Sequence, residues 1–155
     1  MNHDDCSREH LQRSVIDVRW GDMDAFNHVN NATYLRYIEQ ARIEWFESLG
    51  DVWLTDAIAP IMAAAQVNYR RPIEYPAKVV VDLFADKRGS KSITVGHRII
   101  DANDADCIYA DGDVVIVWVN RATGKSVPLP AFAGGNGQTR FASGKHAPGF
   151  RVRRS

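Results

Sequence analysis

Only one stretch of this 155-residue chain carries the three- and four-residue apolar spacing of a helix. It runs from Ala32 to Leu49. Leu35, Ile38, Ala41 or Arg42, Trp45 and Leu49 recur on one face, and Arg36, Glu39, Gln40 and Glu47 take the others. Asn30 or Asn31 can cap its start with a side-chain oxygen, and Gly50 stands where a helix ends in a left-handed residue. Such a helix has about 18 residues and a length near 27 Å. The other periodic segments alternate by two. "SVIDVRW" sets Ile16, Val18 and Trp20 against Asp17 and Arg19. "IMAAAQVNYRR" sets Ile61, Ala63, Ala65, Val67 and Tyr69 against Met62, Ala64, Gln66, Asn68 and Arg70. "AKVVVDLFAD" groups Val79, Val81, Leu83 and Ala85, and "KSITVGHRII" groups Ile93, Val95, His97 and Ile99. "CIYADGDVVIVWVN" completes the set, with a hairpin turn at "RGSK" and a looser turn at "DANDAD". Strand, long helix, then four strands is satisfied by an α+β fold: a five-stranded antiparallel sheet with the helix laid across it. The small residues Ala63, Ala64 and Ala65 let the helix approach closely.

The length suits one domain with a real core, and no internal repeat divides it. The longest apolar run, "VVIVWV", is far too short to span a bilayer, and "MNHDDCSREHLQRS" lacks the apolar stretch of a secretory signal. Cys6 lies in a polar tail and Cys107 in an apolar run, so a disulfide framework is not expected and the cytoplasm is the expected setting. Net charge is zero but uneven. Residues 1–119 hold 12 Lys and Arg against all 19 Asp and Glu, a net of −7, and residues 120–155 hold seven Lys and Arg and no acid. Such a basic end can serve an anionic partner. Its Gly-rich, polar stretch "AGGNGQTRFASGKHAPG" reads instead as a solvated tail. Neither a nucleic acid nor a membrane is expected as a partner.

The loop "GDMDAFNHVNN" crowds Asp22, Asp24, Asn27, His28, Asn30 and Asn31 against the start of the helix. A calcium loop needs Gly where Asn27 stands and Glu where Thr33 stands. Zinc needs more ligands than His28, and a phosphate loop needs glycines that are missing. No metal or cofactor is therefore expected. A helix cap with solvated acids accounts for Asn30 or Asn31, with an acid near the positive helix end gaining about 0.3–1 kcal/mol. It leaves the flanking Trp20 and Phe26 without a reason. A second reading uses them. Unpaired amides at a helix start can polarise a carbonyl and hold its oxyanion. A carboxylate just before that start can attack the carbonyl or activate water, and desolvation beside an aromatic ring raises its basicity. This points to acyl transfer by a carboxylate at a helix end.

"VRWGDMDAFNHVNNATYLRYIEQARIEWF" resembles the signature region of hotdog-fold acyl-CoA thioesterases, the 4-hydroxybenzoyl-CoA thioesterase-like family. The shared pattern is Asp22, Asp24, His28, Val29, Asn30, Asn31, Tyr34 and Leu35, then Glu39, Ala41 and Arg42 on the helix. "VNYRRPIEYPAKV" matches the family's next strand and turn through Arg71, Pro72 and Tyr75. The likeness covers roughly residues 13–120. It implies the hotdog fold, with an antiparallel five-stranded sheet wrapped around one long helix. Residues 1–12 are then a polar tail, 13–130 the hotdog domain and 131–155 a basic, Gly-rich tail. It also implies hydrolysis of an acyl-CoA thioester to a free acid and CoA, at a site completed in a homodimer or homotetramer. The family's carboxylate maps onto Asp24, and the amides of Val29, Asn30 and Asn31 face the thioester oxygen, with His28 among them. Lys87, Arg88 and Lys91 are the counterparts of residues that meet CoA phosphates.

The pattern departs from some relatives: Phe26 stands where plant acyl-carrier thioesterases place the Asn of a triad, and Asn31 where some bacterial relatives carry a His. His28 is then either catalytic or a loop brace, and Asp22 positions the loop. Without the resemblance, Lys87, Arg88 and Lys91 read as solvated turn charges, and His97 as a satisfied core or interface histidine. The alternative function is a non-catalytic hotdog module that binds acyl-CoA or supports an assembly. Truncation after Pro130 is expected to leave kcat of thioester hydrolysis nearly unchanged. KM rises modestly, in a salt-sensitive way, only where Arg140 or Lys145 meets CoA phosphates. A truncated protein that folds yet loses turnover contradicts this.

Overall fold

The computed structural model describes residues 8–131. The basic tail, from residue 132 on, and Cys6 lie outside the described residues. Strand β1 (Glu9–Asp17) leads through a 3₁₀ turn (Trp20–Asp22) into helix α1 (Asn31–Ser48). Then follow β2 (Ile58–Tyr69), β3 (Lys78–Arg88), β4 (Ser92–Asp101), β5 (Ile108–Asn120) and the two-residue β6 (Ser126–Val127). The sheet is antiparallel throughout, in the order β1-β3-β4-β5-β2, with β6 added beside β5. Helix α1 lies across one face, which is the expected hotdog arrangement.

Local chemistry sets the ends of α1. Asn30 Oδ1 accepts the Ala32 amide at 2.9 Å, and Gly50 closes the far end at φ +77°. The buried stripe differs in phase from the expected one. It comprises Tyr34, Tyr37, Ile38, Ala41, Trp45 and Phe46, with Leu35 and Leu49 at its half-buried margin. The rotation brings two tyrosines inward, and each hydroxyl is satisfied there, Tyr37 by Asp22 and Tyr34 by the Arg71 carbonyl.

Three strand expectations also shift. Strand β1 begins at Glu9, so Glu9, His10 and Gln12, expected in the tail, pair with β3 around a bulge at Leu11. Trp20 lies past the end of the strand and is 78% exposed instead of facing inward. In β2 a bulge between Met62 and Ala64 reverses the alternation. Tyr69, Val67 and Ala65 lie opposite Ala110, Gly112 and the core residue Val114, whereas Met62, not Ile61, lies opposite core residue Ile116.

The core between α1 and the sheet holds Val79, Val81, Leu83, Ile93, Val95, Ile99, Val114, Ile116 and Trp118. The opposite face of β3 is also covered. Asp82 is buried there, bound by the Arg13 guanidinium through two 2.9 Å hydrogen bonds and by His10 at 2.9 Å. Burial pushes its carboxyl up, but those hydrogen bonds and charges outweigh it and hold the group below its usual range. This pair ties β1 to β3 on the side away from the helix.

His97 sits on the core face, 2% exposed, opposite Leu83 and Gly112. Gly112 is obligatory, because a Cβ there would lie 2.0 Å from the Gln66 carbonyl oxygen and 3.0 Å from His97 Nε2, at φ +152°. The expectation of a satisfied histidine is corrected, since neither ring nitrogen has a hydrogen-bond partner among the described residues. Burial first, then the charges of Arg42 and Arg8 against the opposing pull of Asp111, lower its pKa to about 4. A His whose folded pKa lies below its unfolded value binds fewer protons folded than unfolded between the two, so stability falls as pH drops through that window. We expect the protein to lose on the order of a few kcal/mol of stability between pH 7 and pH 4 through this group. Urea midpoints of wild type should fall more steeply than those of His97→Leu between pH 7 and pH 4, and parallel profiles contradict the assignment.

The two ends of the sheet differ in chemistry. Asp17, Lys78, Asp101 and Tyr69 mark one end, together with the loop that leads into α1, and Glu9, Arg88, Ser92 and Asn120 mark the other.

Candidate active site

The loop between β1 and α1 is pinned at both sides by backbone. The Asn30 amide donates to the Asp22 carbonyl at 2.9 Å, Met23 bridges Val29, and the Val29 amide donates to the Ile73 carbonyl at 2.8 Å. Inside these anchors the Asp24 amide donates to the His28 carbonyl at 2.9 Å and the Asn27 amide to the Asp24 carbonyl at 3.0 Å. Asn27 takes φ +62°, a conformation Asn tolerates better than most residues. The result is a tight loop with Asp24 at its near corner.

The Asp24 carboxylate is half fixed. Oδ1 accepts the Phe26 amide at 2.9 Å, which sets the side-chain direction. Oδ2 makes no hydrogen bond among the described residues. Asp24 borders a cavity of about 440 Å³ together with Trp20, Gly21, Met23, Asn27 and Tyr75. Of the two aromatics expected beside the acids, Trp20 borders this cavity but is itself largely exposed, and Phe26 is 82% exposed and does not border it; Tyr75, not expected there, does.

The three expected amide donors are not equivalent. Those of Val29 and Asn30 are already spent on Ile73 and Asp22. Ala32 donates to Asn30 Oδ1 and Thr33 to the Asn30 carbonyl. The Asn31 amide alone among Val29, Asn30 and Asn31 has no acceptor among the described residues. It is the first residue of α1, where the helix dipole adds partial positive charge. Of the three amides expected to face a thioester oxygen, only that of Asn31 is left without an internal acceptor among the described residues.

His28 reaches toward Glu74. Its Nε2 lies 3.7 Å from Glu74 Oε1, with the His28 side chain half-buried and that of Glu74 exposed. Asp22 faces inward, as its Oδ2 accepts the Arg19 amide at 2.9 Å and the Tyr37 hydroxyl at 2.6 Å. Tyr34 and Tyr69 complete the frame. The Tyr34 hydroxyl accepts the Ile73 amide at 3.2 Å and donates to the Arg71 carbonyl at 3.1 Å, and the Tyr69 hydroxyl donates to the Asn31 carbonyl at 3.0 Å. Sequence reasoning missed Tyr37, Tyr69 and Ile73 here. The one available signal was Tyr34 and Tyr37 at a helical spacing of three, just behind the acids.

Lys87, Arg88 and Lys91 are not brought to Asp24 within one chain. They sit at the β3–β4 turn, at the opposite end of the sheet, and Arg88 is engaged by Glu9 Oε2 at 2.6 Å. The length of β3, roughly 33 Å, separates the two ends. A second cavity of about 320 Å³ lies between α1 and β2, with Glu39, Arg42, Phe46, Trp53 and Met62 among its walls, and shares no residue with the first.

A carboxylate oxygen beside a cavity walled by Trp20 and Tyr75, with a free helix-start amide at the end of the same loop, is suited to acyl transfer. The chain belongs to the thioesterase-like superfamily, whose model matches residues 18–136. It is a thioester hydrolase. It is 28% identical over 119 residues to the long-chain acyl-CoA thioesterase FadM of Escherichia coli, covering 76% of this chain and 89% of that one. Two solved structures are similar and are candidate thioesterases by name. The PA2801 protein of Pseudomonas aeruginosa is 40% identical with a TM-score of 0.74, over 79% of this chain and 94% of its own. The XC229 protein of Xanthomonas campestris is 45% identical with a TM-score of 0.71, over 78% of this chain and all of its own. Among the described residues no helix is long and apolar enough to cross a membrane.

Proposed function

We propose that the protein hydrolyses acyl-CoA thioesters to a free acid and CoA, with Asp24 as the reacting carboxylate and the Asn31 amide as oxyanion donor. The observation that carries this reading is the Asp24 carboxylate, held through Oδ1 by Phe26 with Oδ2 unengaged beside the Trp20–Tyr75 cavity. Oδ2 either attacks the thioester carbon or takes a proton from the water that does. In the first route the C–S bond breaks as an Asp24–acyl anhydride forms, and a water then hydrolyses that anhydride to release the acid and restore the carboxylate. In the second the activated water adds directly, and the C–S bond breaks as the acid forms. In both the thiolate leaves and is protonated to CoA. His28 is a brace against Glu74 in this reading, and Asp22 positions the loop. A cytoplasmic setting fits the free thiol of Cys107.

A homo-oligomer completes the reading. Strand β2 is an edge, carries no charge from Ile58 to Tyr69, and exposes residues 61–66. A long uncharged edge is a liability unless it is paired. Antiparallel pairing of β2 with β2 of a second copy reverses the ends of the second sheet. It thereby carries the second copy's Lys87–Lys91 turn to the end where Asp24 lies, where CoA phosphates can meet it. Light scattering is expected to give a dimer or tetramer, and a fully active monomer at assay concentration contradicts the arrangement.

Asp24→Asn keeps the shape of the side chain and removes its charge and basicity. We expect it to fold, to bind acyl-CoA, and to lose at least about 10²–10⁴-fold in kcat. Asp22→Asn and His28→Gln should cost less. Steady-state hydrolysis over a panel of acyl-CoAs, with melting temperatures alongside, decides. If Asp24→Asn turns over at close to the wild-type rate, the loop is only a helix cap.

A further inference from the structure

We infer that Tyr37 is a positioning residue for the reaction, holding the Asp24 loop to helix α1 through Asp22; this rests on the reading of Asp24 given above. Tyr37 lies in the second turn of α1 and is 5% exposed. Its hydroxyl donates to Asp22 Oδ2 at 2.6 Å, a short charge-assisted bond. The same oxygen accepts the Arg19 amide, so a single carboxylate atom joins the end of the β1 approach to the helix. The carbonyl of Asp22 accepts the amide of Asn30, the residue before the free Asn31 amide. Asp22 also stands two residues before Asp24 in the chain. Tyr37 therefore reaches both halves of the site through one residue, without touching the cavity that Asp24 borders.

The alternative is that Tyr37 is merely core. Its ring packs in the apolar cluster under α1, and Phe would fill that space equally well. The hydroxyl distinguishes the two. Burial and the Asp22 carboxylate both push it well above the usual tyrosine range, so it stays a donor at every pH at which the protein is assayed. Removing it leaves Asp22 Oδ2 with the Arg19 amide alone and frees the loop to shift against the helix. A displacement near 1 Å between a reacting group and its oxyanion donor is enough to cost up to about 100-fold in rate.

The test uses Tyr37→Phe, Asp22→Ala and the double variant, each assayed for kcat and KM well below its melting temperature. Asp24→Asn is measured in parallel. We expect Tyr37→Phe to lower kcat by about 10–100-fold with little change in KM. The double variant should be no slower than Asp22→Ala, because the two groups act as one unit. Asp22→Asn, which keeps an acceptor oxygen for the hydroxyl, should recover most of the loss seen in Asp22→Ala. If Tyr37→Phe does not fold, a kcat loss in Asp22→Ala that Asp22→Asn repairs supports the inference, and equal kcat in those two overturns it. Tyr37→Phe within about twofold of wild type, or single effects that multiply in the double variant, also overturns it. With Asp24→Asn inactive, either result removes the role of Tyr37 and leaves Asp24 standing. An active Asp24→Asn removes both.

Discussion

The hydrogen bond from the Asn30 amide to the Asp22 carbonyl is the contact on which the site depends. It closes the loop from Asp22 to Asn30 onto the first turn of α1. One helix-start amide is consumed in doing so. The Asn30 side chain takes Ala32, its carbonyl takes Thr33, and Asn31 is left as the donor without an internal acceptor. The same closure fixes the 3₁₀ turn of Trp20–Asp22 beside the helix, so Asp22 can meet Tyr37 and Asp24 can meet the cavity. Loop and helix start are thus one construction, and that is why polar residues crowd against an apolar helix in the sequence.

Much of the fold was legible because it depends on period and punctuation. The three- and four-residue spacing located α1 to within a residue at each end, with Asn30 and Gly50 as its stops. The four later strands followed from alternation and turn residues. What was misread has local physical causes. A bulge at Ala63 cannot be seen in a run of similar small residues, yet it reverses the faces of β2. Tyrosine is apolar in its ring and polar at its tip, so a count of aliphatic residues placed the buried stripe one position off. Glu9, His10 and Gln12 are polar because they belong to an edge strand with little to bury, and with a single apolar neighbour, Leu11, they read as tail.

The site was legible in part. Asp24 stands out as a carboxylate that a helix cap does not require, and the structure gives it a cavity and a free carboxylate oxygen. Two further matters depend on contacts across the chain. Whether an amide is free is decided by carbonyls as distant as Ile73. The distance from Lys87–Lys91 to Asp24 is decided by strand order, which sends the β3–β4 turn to the far end of the sheet. In the proposed dimer, pairing of the uncharged β2 edge with a second copy would reverse that separation.

The most direct measurement is a crystal structure with an acyl-CoA analogue whose thioester sulfur is replaced so that it keeps the carbonyl but cannot be hydrolysed. The arrangement predicts the carbonyl oxygen at about 2.7–3.1 Å from the Asn31 amide, with Asp24 Oδ2 facing the carbonyl carbon. The Lys87–Lys91 turn of a second copy should lie at the phosphates. A carbonyl seated instead between α1 and β2, against Arg42 and Trp53, contradicts it.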